Sequence, residues 1–185
     1  MGRLQYAVLC SLDGYTADAD GRFDWAAPDE ELHAFVNDLE RPVGTHLYGR
    51  RMYETLAVWQ DVAGPDHDPV ENDYAEIWRA ADKVVYSTTL AEVGTPRTRL
   101  ERTFDPAAVA RLKAGTDRDL AIGGPGLAAH ALRAGLVDDL HQFVHPVVVG
   151  GGTRALPDGL RLDLELVSER RFAGGVVHLH HRVEP

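Results

Sequence analysis

The sequence predicts an α/β fold: a mostly parallel sheet with an antiparallel C-terminal edge. Three observations carry this. Short apolar runs of strand type alternate with amphipathic runs of helix type as far as about Leu136. After that, strand-type segments follow one another with no convincing helix between them, the pattern of an antiparallel edge. And a glycine-rich link, AIGGPGLAAHAL (121–132), joins a strand-type run directly to a helix-type run.

Taken in order, Leu4, Tyr6, Val8 and Cys10 alternate with Gln5, Ala7 and Leu9, which reads as a first strand covered on both faces and ended by Asp13-Gly14. Pro28-Asp29-Glu30-Glu31 opens a helix. Proline suits the first turn, and the acids sit at the positive end of the dipole. Leu32, Phe35, Val36 and Leu39 then follow at helical spacing. Thr45–Tyr48 is a short strand running into Gly49, and Arg51–Trp59 a second helix. Ala63–Val70 (AGPDHDPV) reads as a linker-like insertion within one domain, before a third helix over Asn72–Ala81. Lys83–Tyr86 is a buried-type strand ending at Ser87-Thr88-Thr89, and Arg97–Arg102 a short strand. Pro106–Ala114 is a helix with proline at its start. Leu120–Ile122 is a strand, Leu127–Leu136 a helix and Leu140–Val149 a strand. Leu162–Phe172 and Val176–Val183 pair as a hairpin around Ala173-Gly174-Gly175.

Bulk properties narrow the function. The chain has 185 residues, enough for one domain with a core. Its net charge of −10, from 19 basic and 29 acidic residues, argues against nucleic-acid binding, which needs a positive footprint. Cys10 is the only cysteine, so there is no internal disulfide and no cysteine-rich metal site. The N-terminus lacks the form of a signal peptide, and no stretch approaches the roughly 18 apolar residues of a membrane span. A cytoplasmic monomer or homo-oligomer acting on a small molecule is the expectation.

The glycine link admits two readings. Gly124-x-Gly126-x-x-Ala129 fits the dinucleotide fingerprint, in which glycines admit a pyrophosphate to the free N–H groups of a helix start. It also fits a plain strand-to-helix turn needing positive φ. The Rossmann version fails, because the acid expected roughly 20 residues on is replaced by His145-Pro146. Other strand ends add Arg50 and Arg51 after Gly49, and Ser87, Thr88 and Thr89. In open α/β sheets ligands bind at the carboxyl ends of strands. Taken together, these strand ends favour phosphate binding; taken singly, paired surface arginines and turn-capping hydroxyls account for each.

The ordered set SLDGYTA (11–17), LYGRRMYE (47–54), DKVVYSTTL (82–90), AIGGPGL (121–127), LVDDLHQFVHPVVVGGG (136–152) and GGVVHLHH (174–181) resembles the dihydrofolate reductase-like superfamily. Within it, the chain is similar to the C-terminal reductase domain of the bifunctional riboflavin-pathway deaminase-reductases, standing without the deaminase half. The resemblance implies a three-layer α/β/α fold with a central sheet of about eight strands, an NADPH-dependent reductase, and a homodimer. It matches Gly49, Arg50 and Arg51 to the turn that meets the cofactor phosphates. Ser87 and Thr88 match the strand end at the adenosine 2′-phosphate, and Gly123, Gly124, Gly126 and Leu127 the pyrophosphate turn. Thr16 and Ala17 match backbone near the nicotinamide. Relatives often have Arg where Thr88 stands and Thr where Met52 stands, so NADH is a possible cofactor too.

The substrate side implied is Asp13, Asp24, Trp25 and the helix from Pro28, with Glu30 falling where folate reductases keep their acid. Asp13, Asp24 and Glu30 are therefore the candidate proton donors, since a carboxyl partly buried beside Trp25 would hold a raised pKa. The plain alternatives are a turn for Asp13, a solvated helix start for Glu30 and a core position for Trp25. The specific expectation is reduction of 5-amino-6-(5-phosphoribosylamino)uracil. Its sugar phosphate would need Arg154 and Arg161 near Gly150-Gly151-Gly152. Dihydrofolate reduction and a non-catalytic NADPH-binding module are the alternatives. His178 and His180 share one strand face and, with His181, read as a surface histidine cluster rather than a metal site.

Overall fold

Alternation in the first segment becomes β1 (Leu4–Ser11), near the middle of an eight-stranded sheet. The computed structural model describes residues 1–184. The chain continues through β2 (Tyr15–Ala17), α1 (Glu30–Glu40), β3 (Val43–Gly49), α2 (Arg50–Leu56), α3 (Pro69–Ala80), β4 (Asp82–Tyr86), β5 (Thr98–Glu101) and α4 (Pro106–Ala114). It then forms β6 (Asp119–Gly123), α5 (Pro125–Arg133), β7 (Asp139–His145), β8 (Thr153–Arg154), β9 (Leu164–Arg171) and β10 (Val177–Val183). The sheet order is β5-β4-β3-β6-β1-β7-β10-β9. Strands from β5 to β7 run parallel, and β10 pairs antiparallel with both β7 and β9. The fold is the three-layer α/β arrangement with an antiparallel C-terminal hairpin that the sequence predicts.

Each face of the sheet has its own cover. Leu4, Tyr6, Val8 and Cys10 of β1 lie with Leu120 and Ile122 of β6 against Val109 of α4 and Ala128, Ala131 and Leu132 of α5. Leu4, Leu47, Leu120 and Leu140 are fully buried, each stabilising the fold by about 2 kcal/mol. On the opposite face, Leu32 and Phe35 of α1 pack on Phe143, Phe172 and Val176, with Ala7 and Leu9 beneath. The chain leaves β1 through α1 on one face, and β6 through α5 on the other. β6 nevertheless sits directly beside β1, so a crevice opens at their carboxyl ends.

Several boundaries differ from expectation for identifiable reasons. The third helix starts at Pro69 rather than Asn72, because Asp68 and Glu71 form a capping box and Pro69 takes the first turn. The segment read as linker is thus partly a helix start. The helix expected over Arg51–Trp59 is α2 followed by a tight 3-10 turn, Ala57–Gln60. α5 begins at Pro125 and ends at Arg133, with Gly135 at φ +64 behind it, so it is displaced toward the glycines. β7 ends at His145 rather than Val149, since Pro146 lacks the N–H a central strand needs. The hairpin's outer strand starts at Leu164. A side ribbon of β2 and β8, too short to leave a sequence pattern, was not anticipated.

Candidate active site

The crevice is built first from backbone. Gly124 caps α5 with φ +91 and no side-chain cap, so Gly126 and Leu127 present N–H groups without helical partners. A Cβ on Gly123 would lie 2.9 Å from the Tyr48 ring, and one on Gly126 would meet nothing within 4 Å. Gly123 is therefore required by packing, while Gly126 borders open space. Gly49, at the end of β3, lies against Leu127: its Cβ would be 3.8 Å from that residue's Cβ. The turns after β3 and β6 thus form one rim.

Side chains complete one end of this rim. A cavity of about 340 Å³ is lined by Arg50, Ser87, Thr88, Arg102, Leu127 and His130 among others. Arg50 is half exposed and lies 3.6 Å from Glu54. Arg51 is exposed on the first turn of α2 and does not line the cavity. The Ser87 hydroxyl accepts hydrogen bonds from the backbone of Thr89 (3.2 Å) and Leu90 (2.9 Å), so it shapes the turn; Thr88 is exposed. Arg102, which sequence reasoning missed, donates to the carbonyls of Ser87, Leu90 and Ala91 and braces that turn. His130 and Phe104 were missed as well. The signal for all three was the placement of β5 beside β4 and the first turns of α5, which needs the sheet order to be read.

At the other end, Thr16 and Ala17 lie on β2 beside the glycine loop. Thr16 donates to the Thr153 carbonyl (3.3 Å), and Gly152 packs so tightly on the Ala17 carbonyl that no Cβ fits. Asp13 holds this loop, accepting from the N–H groups of Val149 (3.1 Å) and Gly150 (2.7 Å). Hydrogen bonds from Ser11, Gly150 and Val149 hold its carboxyl below the usual range. Asp13 is thus an ionised structural anchor. Asp24 is exposed in a 3-10 turn, Asp24–Ala26, and Glu30 is exposed at the start of α1. The crevice gathers none of these carboxyls into an apolar pocket. Trp25 packs edge-on to His145, centroids 5.6 Å apart, and the buried Trp25 Nε1 and His145 Nε2 have no protein partner.

Beneath the rim lies a second, smaller cavity of about 50 Å³, on the α1 side of the sheet. Gly123 and Ala7 border it above, Met52 and Tyr74 flank it, and Glu40 and His46 lie at its lower end. Glu40 is buried, with Gln5 Nε2 at 3.5 Å from one carboxyl oxygen and His46 Nδ1 at 3.7 Å from the other. Burial pushes the Glu40 carboxyl up to about 7 and, with Lys83 and Arg118 nearby, the His46 imidazole down to about 3. Glu40 was missed, although it continues the buried spacing Leu32, Val36, Glu40 on α1, where a carboxylate is out of place.

The histidine cluster is only partly on the surface: His180 and His181 are half-buried and His178 is buried. His178 is 3 % exposed, and its Nε2 meets His141 Nδ1 at 3.0 Å. His180 stacks on His141 at 4.1 Å and bonds to Asp139 at 2.9 Å, which in turn pairs with Arg3. Arg154 pairs with Asp158 and lies over the Tyr15 ring, and Arg161 is exposed beside Asp163. No helix among the described residues is long and apolar enough to cross a membrane.

Known proteins share this architecture. The chain is 28% identical over 180 residues to the uncharacterized protein YyaP of Bacillus subtilis, covering 96% of this chain and 93% of that one. A protein of Shewanella sp. PV-4 assigned provisionally to riboflavin biosynthesis superposes with a TM-score of 0.76 at 21% identity, each chain fully covered. A pyrimidine reductase-like protein of Corynebacterium diphtheriae gives 0.71 at 14%, covering all of this chain and 92% of the other. The diaminohydroxyphosphoribosylaminopyrimidine deaminase/5-amino-6-(5-phosphoribosylamino)uracil reductase of Thermotoga maritima gives 0.68 at 16%, covering 99% of this chain and 57% of that one. These similarities concern the fold. The family model for the RibD C-terminal domain matches residues 3–178, nearly the entire sequence, and the chain belongs to that family.

Proposed function

We propose that this protein is an NADPH-dependent reductase of a pyrimidine-type or related heterocycle. The observation that carries the reading is the shared rim: uncapped N–H groups of α5, the Gly49–Arg50 turn and the Ser87–Thr89 turn open on one cavity of about 340 Å³. The residues suit a dinucleotide. Gly124, Gly126 and Leu127 would hold the pyrophosphate through backbone, because an anion at a helix start gains both hydrogen bonds and the helix dipole. Gly123 keeps the turn close to the sheet. Gly49 would add backbone at the turn and Arg50 charge, and Thr88, Arg102 and His130 would surround the adenosine end. Arg50 takes the role of the arginine missing at Thr88, which favours NADPH over NADH.

Thr16 and Ala17 offer backbone near the nicotinamide, and Trp25 an apolar wall on the substrate side. A bound nicotinamide supplies the hydride. The chain aligns the reactants, excludes water from them and delivers a proton. The reductase half of the Thermotoga maritima relative acts, by its name, on a phosphoribosylamino uracil, and the corresponding reduction is the first substrate reading here. A heterocycle without a sugar phosphate, such as dihydrofolate, is the second. It is favoured by one observation: Arg154 and Arg161 are already paired with Asp158 and Asp163.

The test is a two-step titration. NADPH added to the protein is expected to quench tryptophan fluorescence saturably. Loss of absorbance at the nicotinamide band then reports turnover with the phosphoribosylamino uracil or with dihydrofolate. Binding without turnover of any ring substrate would favour a non-catalytic NADPH-binding module, and no binding would remove the reading.

A further inference from the structure

The cavity beneath the glycine rim has no place in the cofactor cradle, yet it shares Gly123 with it. We infer that Glu40 is the proton reservoir of the reduction, serving the reacting rings through water held between it and the Ala7–Gly123 end of the slot. This inference rests on the reductase reading and adds to it where the proton comes from.

Three features of the slot lead there. Its size of about 50 Å³ is too small for a heterocycle and sufficient for a short file of waters. Gln5, beside Glu40, pairs in register with Ala121, two residues before Gly123. Two strand residues span roughly 7 Å, a distance that two or three hydrogen bonds of about 2.8 Å cover. And the carboxyl is walled so that it holds a proton. The titratable groups facing it are His46 and Tyr48 from β3 and Tyr74 from α3, with Lys83 on β4 and Arg118 bearing on His46. None of the groups lining the slot is a cation that would stabilise a carboxylate, because His46 is held neutral by its own burial.

A buried acid whose proton affinity is raised costs the fold stability above its unfolded pKa, and such groups cluster at functional sites. When hydride and its electron pair reach the carbon of an imine-type C=N bond, the nitrogen takes a proton from the adjacent water. That water is refilled along the file from the Glu40 carboxyl, and the resulting carboxylate regains its proton from solvent. Asp13 is held ionised by its hydrogen bonds, and Asp24 and Glu30 are exposed and do not line the slot.

The test reads protons rather than turnover. The oxidised cofactor carries a positive ring charge, which, held near the Ala7–Gly123 end of the slot, would favour the carboxylate. NADP⁺ binding in weakly buffered solution is therefore expected to release about half a proton per site from Glu40 near pH 7, fading toward pH 5 and pH 9. An indicator dye measures the release, and Glu40→Gln is expected to abolish it while still binding NADP⁺. Subtracting that variant removes protons linked to the cofactor phosphate and to any other group. Equal release in both proteins overturns the reservoir and leaves the reductase reading standing. Failure of the wild type to bind NADP⁺ overturns the reductase reading and the reservoir with it. Should Glu40→Gln not fold, the infrared carbonyl band of a protonated carboxyl in the wild type decides. It weakens on NADP⁺ addition if the reservoir exists and stays unchanged if it does not.

Discussion

The rim at the strand ends and the buried polar row beneath α1 are built on opposite principles. The rim is backbone: glycines at Gly49, Gly123, Gly124 and Gly126, uncapped helix starts, and exposed arginines around an open cavity. The row is side chain: Glu40 and His46 in one slot, then His141, His178 and the half-buried His180 farther across the same sheet face, all but the last removed from bulk water. The rim offers groups a ligand satisfies. The row contains Glu40, His46, His141 and His178, whose proton affinities are shifted chiefly by burial. Ligand affinity should therefore be sensitive at the rim, and pH response at the row.

The largest expected effect tests the rim alone. Gly126→Val places a side chain where nothing now lies within 4 Å, and its backbone needs no positive φ. NADPH binding should weaken by about 100-fold, roughly 2.7 kcal/mol, with the melting temperature almost unmoved. A normal titration by this variant would detach the glycine turn from the cofactor.

The next tests the row alone. Burial, with His180 nearby, lowers His141 to about 3 and His178 to about 4. The unfolded chain therefore binds protons that the folded chain refuses. Stability is full above about pH 6.5 and falls as pH drops toward 4, by about 2 kcal/mol or more. Replacing both partners, His141→Phe with His178→Leu, should flatten this acid limb in thermal melts; an unchanged limb would place the titration elsewhere.

Glu40 has the opposite sign. Its folded pKa is raised, so its contribution is fully present below about pH 4.5 and is lost as pH rises to about 7. Glu40→Gln should then gain up to about 3 kcal/mol over the wild type across that window, level above it. Equal stability of the two proteins at all pH values would mean that the carboxyl is solvated.

How far each region was legible in the sequence follows the same division. The rim was readable because turn glycines and proline starts are local: Gly124 at φ +91 and Pro125 in the first turn follow from neighbouring residues. The parallel sheet and terminal hairpin were readable for a similar reason, since alternation reports each strand by itself. Asp68-Pro69-x-Glu71 held a local signal too, but the glycine, proline and aspartates around it read as a loop. The row was not readable, because burial of Glu40 depends on Gln5 and His46 from two other strands, and His141 meets His178 only through the β7–β10 register. Asp13 shows the same limit. Its place before Gly14 marked a turn, but its bonds to Val149 and Gly150 cross most of the chain.

Smaller effects sharpen the comparison. Arg50→Ala should weaken NADPH about 5–10-fold and NADH little, since one charge-assisted phosphate contact is removed; equal losses for both cofactors would move the 2′-phosphate away from this arginine. Asp24→Asn and Glu30→Gln should change kcat/KM by less than about threefold, because both carboxyls face water outside the cavities.

The central claim is that the shared rim of α2, α5 and the Ser87–Thr89 turn binds a nicotinamide dinucleotide. Titrating the protein with NADPH while following tryptophan fluorescence tests it most directly. The account predicts saturable quenching in the micromolar range, tighter for NADPH than for NADH and lost in Gly126→Val. No quenching by either cofactor, or the same curve in the variant, would contradict it.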